Sequence, residues 1–177
     1  MENFTVWFTG LSGAGKSTLA LKLERYLMEK DCNVQLLDGD IVREEIGSVF
    51  GYERTERIKM AKVLRLLAKL LNKKGITVIV AAIAPYEEIR QANRERLENY
   101  IEIFVECSIK NCIERDVKKL YQKAFRGEVE NMIGVDDIYE TPQNYDVKVN
   151  TSLESIEESF NKIKEYIEKI LQRKGTT

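Results

Sequence analysis

Apolar, β-prone runs alternate with amphipathic segments along this chain of 177 residues. The alternation predicts an α/β fold, a doubly wound parallel β-sheet with helices on both faces. Ile76–Ile83 is the most continuous apolar run, which is typical of an interior strand buried on both faces. The expected strands are Phe4–Thr9, Asn33–Leu37, Ile76–Ile83 and Tyr100–Glu106, with Tyr145–Val149 as a shorter fifth.

Helical patterns occupy the intervals between these runs. Thr18–Lys30 and Arg54–Asn72 carry apolar residues three and four positions apart, and Glu87–Asn99 is expected to form a charged helix. The stripe of the second helix that should face the core is Ile58, Ala61, Leu64, Ala68 and Leu71.

The C-terminal segment has the clearest helical pattern of the chain. Thr151-x-x-Glu154 has the form of a capping box, which would begin this helix. A helix packed on the sheet is the simplest interpretation, and a coiled-coil seam is the alternative. The apolar positions of the pattern are Leu153, Ile156, Phe160, Ile163, Ile167 and Ile170.

The first expected strand runs directly into Gly10–Ser17, which fits the G-x-x-x-x-G-K-[ST] pattern of a phosphate-binding P-loop. Glycines let the backbone point its N–H groups at phosphate oxygens, and the helix that follows adds the positive end of its dipole. Lys16 would reach the β- and γ-phosphates, and the Ser17 hydroxyl would ligate Mg²⁺. The sequence therefore predicts that ATP or GTP is bound by Gly10, Ser12, Gly13, Ala14, Gly15, Lys16, Ser17 and Thr18.

The composition restricts the remaining classes of function. A formal net charge of -1 does not favour nucleic acid or a membrane surface as a partner. Histidine is absent, so proton transfer must fall to a carboxylate, a lysine or the substrate itself. The three cysteines fit no metal-site spacing, and we expect reduced thiols in a cytoplasmic protein. The length suits a single domain spanning residues 1–177.

Asp38-Gly39-Asp40 follows the second expected strand, at the same edge of the sheet as the P-loop. Two carboxylates there would serve a bound Mg²⁺ and the proton of an acceptor hydroxyl. We expect the metal at Ser17 and Asp40, although which aspartate is the base stays open. Asp-Gly-Asp is also a common turn sequence. The functional interpretation therefore depends on its position directly after a strand.

Residues 114–142 mix basic side chains with few periodic apolar positions. A solvated surface is the usual fate of such a charge run. In a chain with a P-loop, a lid that closes over the phosphates explains this segment better. Arg115 and Lys118 are its expected catalytic cations.

The motifs and domains that occur together with the P-loop restrict the class of nucleotide-binding protein. The chain has no Asn-Lys-x-Asp guanine reader of the GTPase kind, and no partner domain of the kind that motors and transporters carry. A small-molecule kinase is favoured. A nucleotide-dependent binding module without phosphotransfer is the alternative.

Several motifs occur together along nearly the whole chain: the P-loop with its strand, Asp38-Gly39-Asp40 with Arg43, Pro85-Tyr86, and in the lid Glu114–Lys118, Leu120-Tyr121, Gly134–Asp137 and Tyr139-Glu140. In this set the chain resembles the adenylylsulfate (APS) kinase family. The resemblance implies a Mg²⁺-dependent transfer of the ATP γ-phosphate to the ribose 3′-hydroxyl of a small nucleotide, most simply APS in sulfate assimilation. It also implies base and metal roles for the two aspartates, and a homodimer as a common assembly.

The departures from the family pattern cluster where the acceptor nucleotide should bind. Arg57–Met60 replaces the family's N-I-R-R, and Glu87 replaces an arginine. Met132 replaces a phenylalanine that in the family packs on the acceptor's adenine. The family's other stacking aromatic residue is retained as Tyr52. A divergent APS kinase is one explanation. A changed acceptor is the other, such as the CDP-phosphoramidate used in capsule biosynthesis.

The expected site residues fall into two further groups. The catalytic residues are Lys16, Asp38, Asp40, Arg115 and Lys118. The acceptor-binding residues are Arg43, Tyr52, Arg54, Arg57, Lys59, Ile83, Ala84, Lys118, Leu120 and Met132.

Overall fold

The computed structural model describes residues 3–46 and 49–174. The described chain forms a parallel sheet in the order β2-β3-β1-β4-β5. The direction in which strands are added changes at β1, so the crevice at the carboxyl end of β1 is where such a sheet binds ligands. The strands are β1 (Thr5–Thr9), β2 (Val34–Asp38), β3 (Thr77–Ala81), β4 (Tyr100–Glu106) and β5 (Val147–Asn150).

Helices connect these strands, and the predicted second amphipathic helix has the expected bounds. Three short helices in the connections were not predicted as separate elements: α2, α5 and α6. No helix in the described ranges is both long and apolar enough to cross a bilayer. The helices are α1 (Lys16–Met28), α2 (Gly39–Glu45), α3 (Arg54–Asn72), α4 (Glu87–Arg96), α5 (Ile109–Arg115), α6 (Leu120–Phe125) and α7 (Ile156–Lys174).

The sheet is covered on both faces, which confirms the doubly wound α/β prediction. Alternate residues of β1 point to opposite faces, because side chains alternate along a strand. Val6 and Phe8 lie in the cluster with α1 and α7, whereas Trp7 lies in the cluster with α3 and α4. β3 is buried along its whole length between β2 and β1, as its apolar run predicted.

The stripe predicted on α3 faces this second cluster. Ala61, Leu64 and Ala68 are buried, while Ile58 and Leu71 are partly buried against the same cluster. Burial of one face of α3 fixes the rotation of the helix about its axis. That rotation decides which residues of its first turns face the crevice.

The start of α7 differs from the predicted capping box. Glu158 N donates to the Ser155 hydroxyl at 3.2 Å, and Ser155 N donates to Glu158 Oε2 at 2.7 Å. The capping box is therefore Ser155-x-x-Glu158, and the prediction at Thr151-x-x-Glu154 was wrong. The Thr151 hydroxyl instead donates to Ala14 O in the P-loop at 2.8 Å.

The apolar stripe of α7 is correspondingly shorter than predicted. Phe160, Ile163 and Ile167 are buried against the sheet. Leu153 lies before the helix and Ile156 is its first residue, and both are exposed.

Candidate active site

The P-loop forms the connection between β1 and α1 at the centre of the sheet. Gly13 has a φ of 77° and Gly15 a φ of 98°, a region that residues with a Cβ rarely adopt. A Cβ on Gly13 would also lie 3.2 Å from Cys112 O. Gly15 is the N-cap of α1 and has no side chain to cap it, which leaves the first N–H groups of the helix open to phosphate oxygens.

Lys16 lies folded over the loop and donates from Nζ to Leu11 O at 2.7 Å. Burial lowers its pKa to about 8, and the carboxylate of Asp40 partly offsets that effect. Burial therefore disfavours the charged form unless an anion lies beside it. A phosphate can therefore draw the ammonium group away from the Leu11 carbonyl.

The two carboxylates of Asp38-Gly39-Asp40 have different partners. Ser17 Oγ donates to Asp38 Oδ2 at 2.6 Å, while Asp38 Oδ1 accepts from Asp40 N at 2.9 Å as the N-cap of α2. The Asp40 carboxylate turns the other way and forms an ion pair with Lys118. The geometry thus places Asp38, rather than Asp40, beside the hydroxyl expected to hold the metal.

A single cavity of about 600 Å³ joins these groups. Its walls come from the P-loop, the starts of α2 and α3, the connection after β3, and the lid (residues 114–142). The predicted site residues that line it are Ser12, Gly13, Ala14, Gly15, Lys16, Ser17, Thr18, Asp40, Arg43, Tyr52, Arg57, Ile83, Ala84, Arg115, Lys118, Leu120 and Met132.

Arg115 closes one end of the cavity beside the P-loop. Its guanidinium donates to Gly13 O at 3.3 Å and to Thr151 O at 2.5 Å. Thr151 also lines this end, together with Ile156. Arg115 therefore ties the lid to the P-loop and to the chain that follows β5.

Arg57 and Tyr52 form the opposite end of the cavity. Arg57 donates to Tyr52 O and, across the cavity, to Asn131 O of the lid, each at 2.7 Å. Arg43 lies over the Tyr52 ring, with 4.5 Å between its guanidinium carbon and the ring centroid. Burial lowers the pKa of Arg57, and neither arginine forms an ion pair with a carboxylate in the described part of the chain. This end can accept an anion.

Four predicted site residues do not line the cavity: Asp38, whose carboxylate accepts from Ser17 Oγ and Asp40 N, and Gly10, Arg54 and Lys59. Arg54 instead forms ion pairs with Glu88 and Glu140. The Lys59 side chain is 56% exposed and forms an ion pair with Glu56. Gly10 lies beneath the loop, where a Cβ would come within 2.4 Å of Val105 O, so its role is to allow close packing.

Glu87, the anion that replaces a family arginine, also turns away from the cavity. Its Oε2 accepts from Arg90 NH2 at 2.6 Å, and its backbone N donates to Glu140 Oε2 at 2.6 Å. The substitution therefore does not place a negative charge in the site.

Several lining residues were missed by sequence reasoning. Asn131 contributes a backbone carbonyl, for which no side-chain pattern gives a signal. Tyr121 donates from its hydroxyl to Ser12 O at 3.0 Å, and Leu120-Tyr121 of the lid motif was the available sign of it. Thr151 was assigned to a helix cap instead of the P-loop.

The donor chemistry fits a magnesium ion. Mg²⁺ commonly keeps several waters and uses one or two carboxylates together with substrate phosphates. Ser17 and Asp38 supply a hydroxyl and a carboxylate next to the P-loop. No group of three or more acidic or cysteine side chains placed to hold a metal occurs among the described residues.

Comparisons with known proteins agree with this geometry. Residues 2–150 match the adenylylsulphate kinase family. The chain is 45% identical over 167 residues to an adenylyl-sulfate kinase of Halothermothrix orenii, covering 94% of this chain and 90% of the relative. It is 43% identical over 159 residues to one from a Picosynechococcus species, covering 90% of each. A Mycobacterium tuberculosis APS kinase solved with AMPPNP and APS superposes with a TM-score of 0.89 at 35% identity, covering 94% of this chain and 98% of that one.

Proposed function

This chain belongs to the adenylylsulfate kinase family, and on that premise we propose that it transfers the γ-phosphoryl group of ATP to the 3′-hydroxyl of adenylyl sulfate. As a member of the family it is a phosphotransferase with a hydroxyl acceptor. The observation that carries the choice of site is that the P-loop and Asp40 face one cavity. The P-loop marks the ATP end, and Arg43, Tyr52, Arg57 and Met132 mark the acceptor end.

ATP binds with its phosphates against the N–H groups at the start of α1. Lys16 leaves the Leu11 carbonyl for the β- and γ-phosphates, where its charge stabilises the transition state. Arg115 and Thr151 lie on the far side of the loop and border the space for the nucleoside. Phosphoryl transfer needs alignment and charge stabilisation more than covalent chemistry from the protein.

Asp40 is the proposed base. Lys118 forms an ion pair with its carboxylate, and this pair opens when Asp40 accepts the proton of the acceptor hydroxyl. When Lys118 moves to the transferring phosphoryl group, it frees the Asp40 carboxylate and brings its own positive charge to that group. The lid that carries Lys118 also excludes water from the reacting groups.

Magnesium belongs on the other carboxylate. Ser17 and Asp38 would hold the ion, whose charge would offset the negative charge of the nucleotide phosphates. This assignment replaces the expected pairing of Ser17 with Asp40, since the Asp40 carboxylate faces Lys118. Asp38 also caps α2, so its orientation is fixed before any ligand arrives.

The acceptor end supports an anionic nucleotide. Arg43 and Arg57 can each bind oxygens of a phosphosulfate without first breaking an ion pair of their own. Met132 is 5% exposed and lines the cavity, where its thioether can pack on a base less specifically than a ring would. The same features would admit another nucleotide with a modified diphosphate, which keeps CDP-phosphoramidate as the second candidate.

The deciding experiment is an ADP-release assay with MgATP, in which APS and CDP-phosphoramidate are offered separately. We expect turnover with APS and none in the Lys16→Ala control. Turnover with the cytidine compound alone would replace APS as the acceptor. ATP binding without ADP release with either nucleotide would indicate a binding module instead of a kinase.

A further inference from the structure

Ala84 has an unusual backbone conformation in the wall of the acceptor end. Its φ is 44°, in the left-handed region that a residue with a Cβ rarely adopts, and the following residue is Pro85. Residues 83–85 all line the cavity and are named here the acceptor wall. Strain of this kind persists only where neighbouring groups hold the backbone in place.

The group that holds Ala84 is a buried arginine. Arg90, on α4, is 2% exposed and donates from NH1 to Ala84 O at 2.8 Å. From NH2 it donates to Glu87 Oε2 at 2.6 Å, and Glu102 lies 3.8 Å from Nε. With one carboxylate at hydrogen-bond distance and another nearby, the charge of Arg90 is compensated, and its remaining N–H groups serve backbone carbonyls.

The same guanidinium reaches the lid. Arg90 NH2 also donates to Glu140 O at 2.7 Å, and Glu140 N donates to Pro85 O at 2.8 Å. Glu140 Oε2 accepts from Glu87 N at 2.6 Å, at the start of α4. The acceptor wall and residue 140 of the lid are therefore joined from both sides.

Two tyrosines extend the junction along the end of the lid. The Tyr139 hydroxyl is 2.9 Å from the Thr9 hydroxyl, which in turn donates to Ile83 O at 2.5 Å. The Tyr86 hydroxyl donates to Asp137. Asp137, Tyr139 and Glu140 thus each contact the acceptor wall or its neighbours.

We propose that Arg90 is a positioning residue for the acceptor: it fixes the acceptor wall in its strained conformation and fastens the end of the lid to that wall. Arg90 does not line the cavity, so it acts through the wall and the lid. The inference rests on the proposed function insofar as the far end of the cavity binds the acceptor. Its consequence is that loss of the Arg90 contacts disturbs the acceptor end and leaves the P-loop as it was.

The test compares the same substitution at two positions of α4. Arg90→Lys keeps the charge but has one donor nitrogen where the guanidinium uses two, so it cannot reach Ala84 O and Glu140 O in the way that Arg90 does. Arg94→Lys is the matched control, because Arg94 contacts Glu102, Asp146 and Asn144 O and no residue of the wall. We expect Arg90→Lys to raise the KM for APS about tenfold or more with the KM for ATP within twofold. Arg94→Lys should leave both within twofold. Equal rises in both KM values, or no rise for APS, would overturn the proposal.

A second variant keeps the test valid if Arg90→Lys does not fold. Glu140→Ala retains the backbone contacts of residue 140 and removes only its hold on Glu87 N and Arg54. It should raise the KM for APS severalfold without changing that for ATP, and unchanged values would count against the proposal.

Amide hydrogen exchange supplies a readout that does not depend on the acceptor. In Glu140→Ala, and in Arg90→Lys if it folds, residues 83–87 and 137–140 should exchange faster while residues 13–19 keep wild-type rates. If wild-type protein fails to turn over APS, the proposed function fails, but this exchange pattern still decides whether the wall and lid are fastened together. A uniform acceleration across the P-loop would refute the local role of Arg90.

Discussion

Ser17 Oγ donates to Asp38 Oδ2 at 2.6 Å, and this contact separates the roles of two carboxylates that stand two residues apart. Asp38 is directed to the hydroxyl of the P-loop, and Asp40 is directed to Lys118 of the lid. A tripeptide that resembles a simple turn therefore supplies one group to each half of the reaction.

We expect Asp40→Asn to lower kcat by about 10²–10⁴-fold, the usual contribution of a general base, with the KM for ATP nearly unchanged. Asp38→Asn should instead raise the Mg²⁺ concentration needed for half-maximal rate. Steady-state kinetics with varied MgCl₂ at fixed ATP measures both effects. If the two variants exchanged these signatures, the assignment of base and metal would have to be reversed.

The lowered pKa of Lys16 predicts how nucleotide binding depends on pH. With a pKa of about 8, the ammonium form that binds phosphate is lost as the pH rises through that value in the free protein. From pH 7 to pH 9 the protonated fraction falls from roughly 90% to roughly 10%, so the Kd for AMPPNP should rise about tenfold. Calorimetric titrations at constant ionic strength measure this change.

Lys16→Ala provides the control for that titration. It should bind AMPPNP weakly and with little dependence on pH between 7 and 9, and it should show no turnover while its far-UV circular dichroism stays native. A wild-type Kd that is constant over this range would contradict the lowered pKa.

Arg57 and Lys59 make a matched pair for the acceptor end. Arg57→Ala should raise the KM for APS by about 10–100-fold, because hydrogen bonds to charged groups contribute about 1.5–3 kcal/mol. Lys59→Ala should change it less than twofold, since that side chain lies outside the cavity. A comparable loss in both variants would mean that overall positive charge, and not the position of Arg57, governs acceptor binding.

Gly10→Ala tests the close packing beneath the P-loop. A Cβ there would lie 2.4 Å from Val105 O, and backbone cannot yield as a flexible side chain can. We expect the free energy of unfolding in urea to fall by about 1–3 kcal/mol, as for other overpacked sites. Gly51→Ala, where a Cβ would have 3.7 Å of space, is the control and should change it by less than about 0.5 kcal/mol.

Periodicity predicted the sheet and α3, and a sequence motif predicted the P-loop, because each depends on a local pattern. It could not separate Arg57 from Lys59, since both are cations in the first turns of one helix. At 3.6 residues per turn, residues two positions apart lie roughly 200° apart around the helix axis. Arg57 and Lys59 therefore point to nearly opposite sides, and only Arg57 faces the cavity. The burial of Ala61 and Leu64 sets which of the two side chains faces the cavity, and this burial depends on the tertiary fold.

Other parts of the site escaped the sequence because they are made by backbone atoms or by distant partners. Asn131 offers its carbonyl to Arg57, and any residue type could do so. Arg54 forms an ion pair with Glu140, which is 86 positions away along the chain, and no local pattern encodes such a pair. Thr151 fits a capping pattern, but its hydroxyl donates to Ala14 O of the P-loop, and Ser155 caps α7 instead.

The ion pair between Lys118 and Asp40 also bears on what happens when ATP is bound alone. While this ion pair is kept, the Asp40 carboxylate is not available to take the proton of a water molecule beside the γ-phosphate. We therefore expect hydrolysis of bound ATP by water to be slow until Lys118 moves to the phosphoryl group and frees the base.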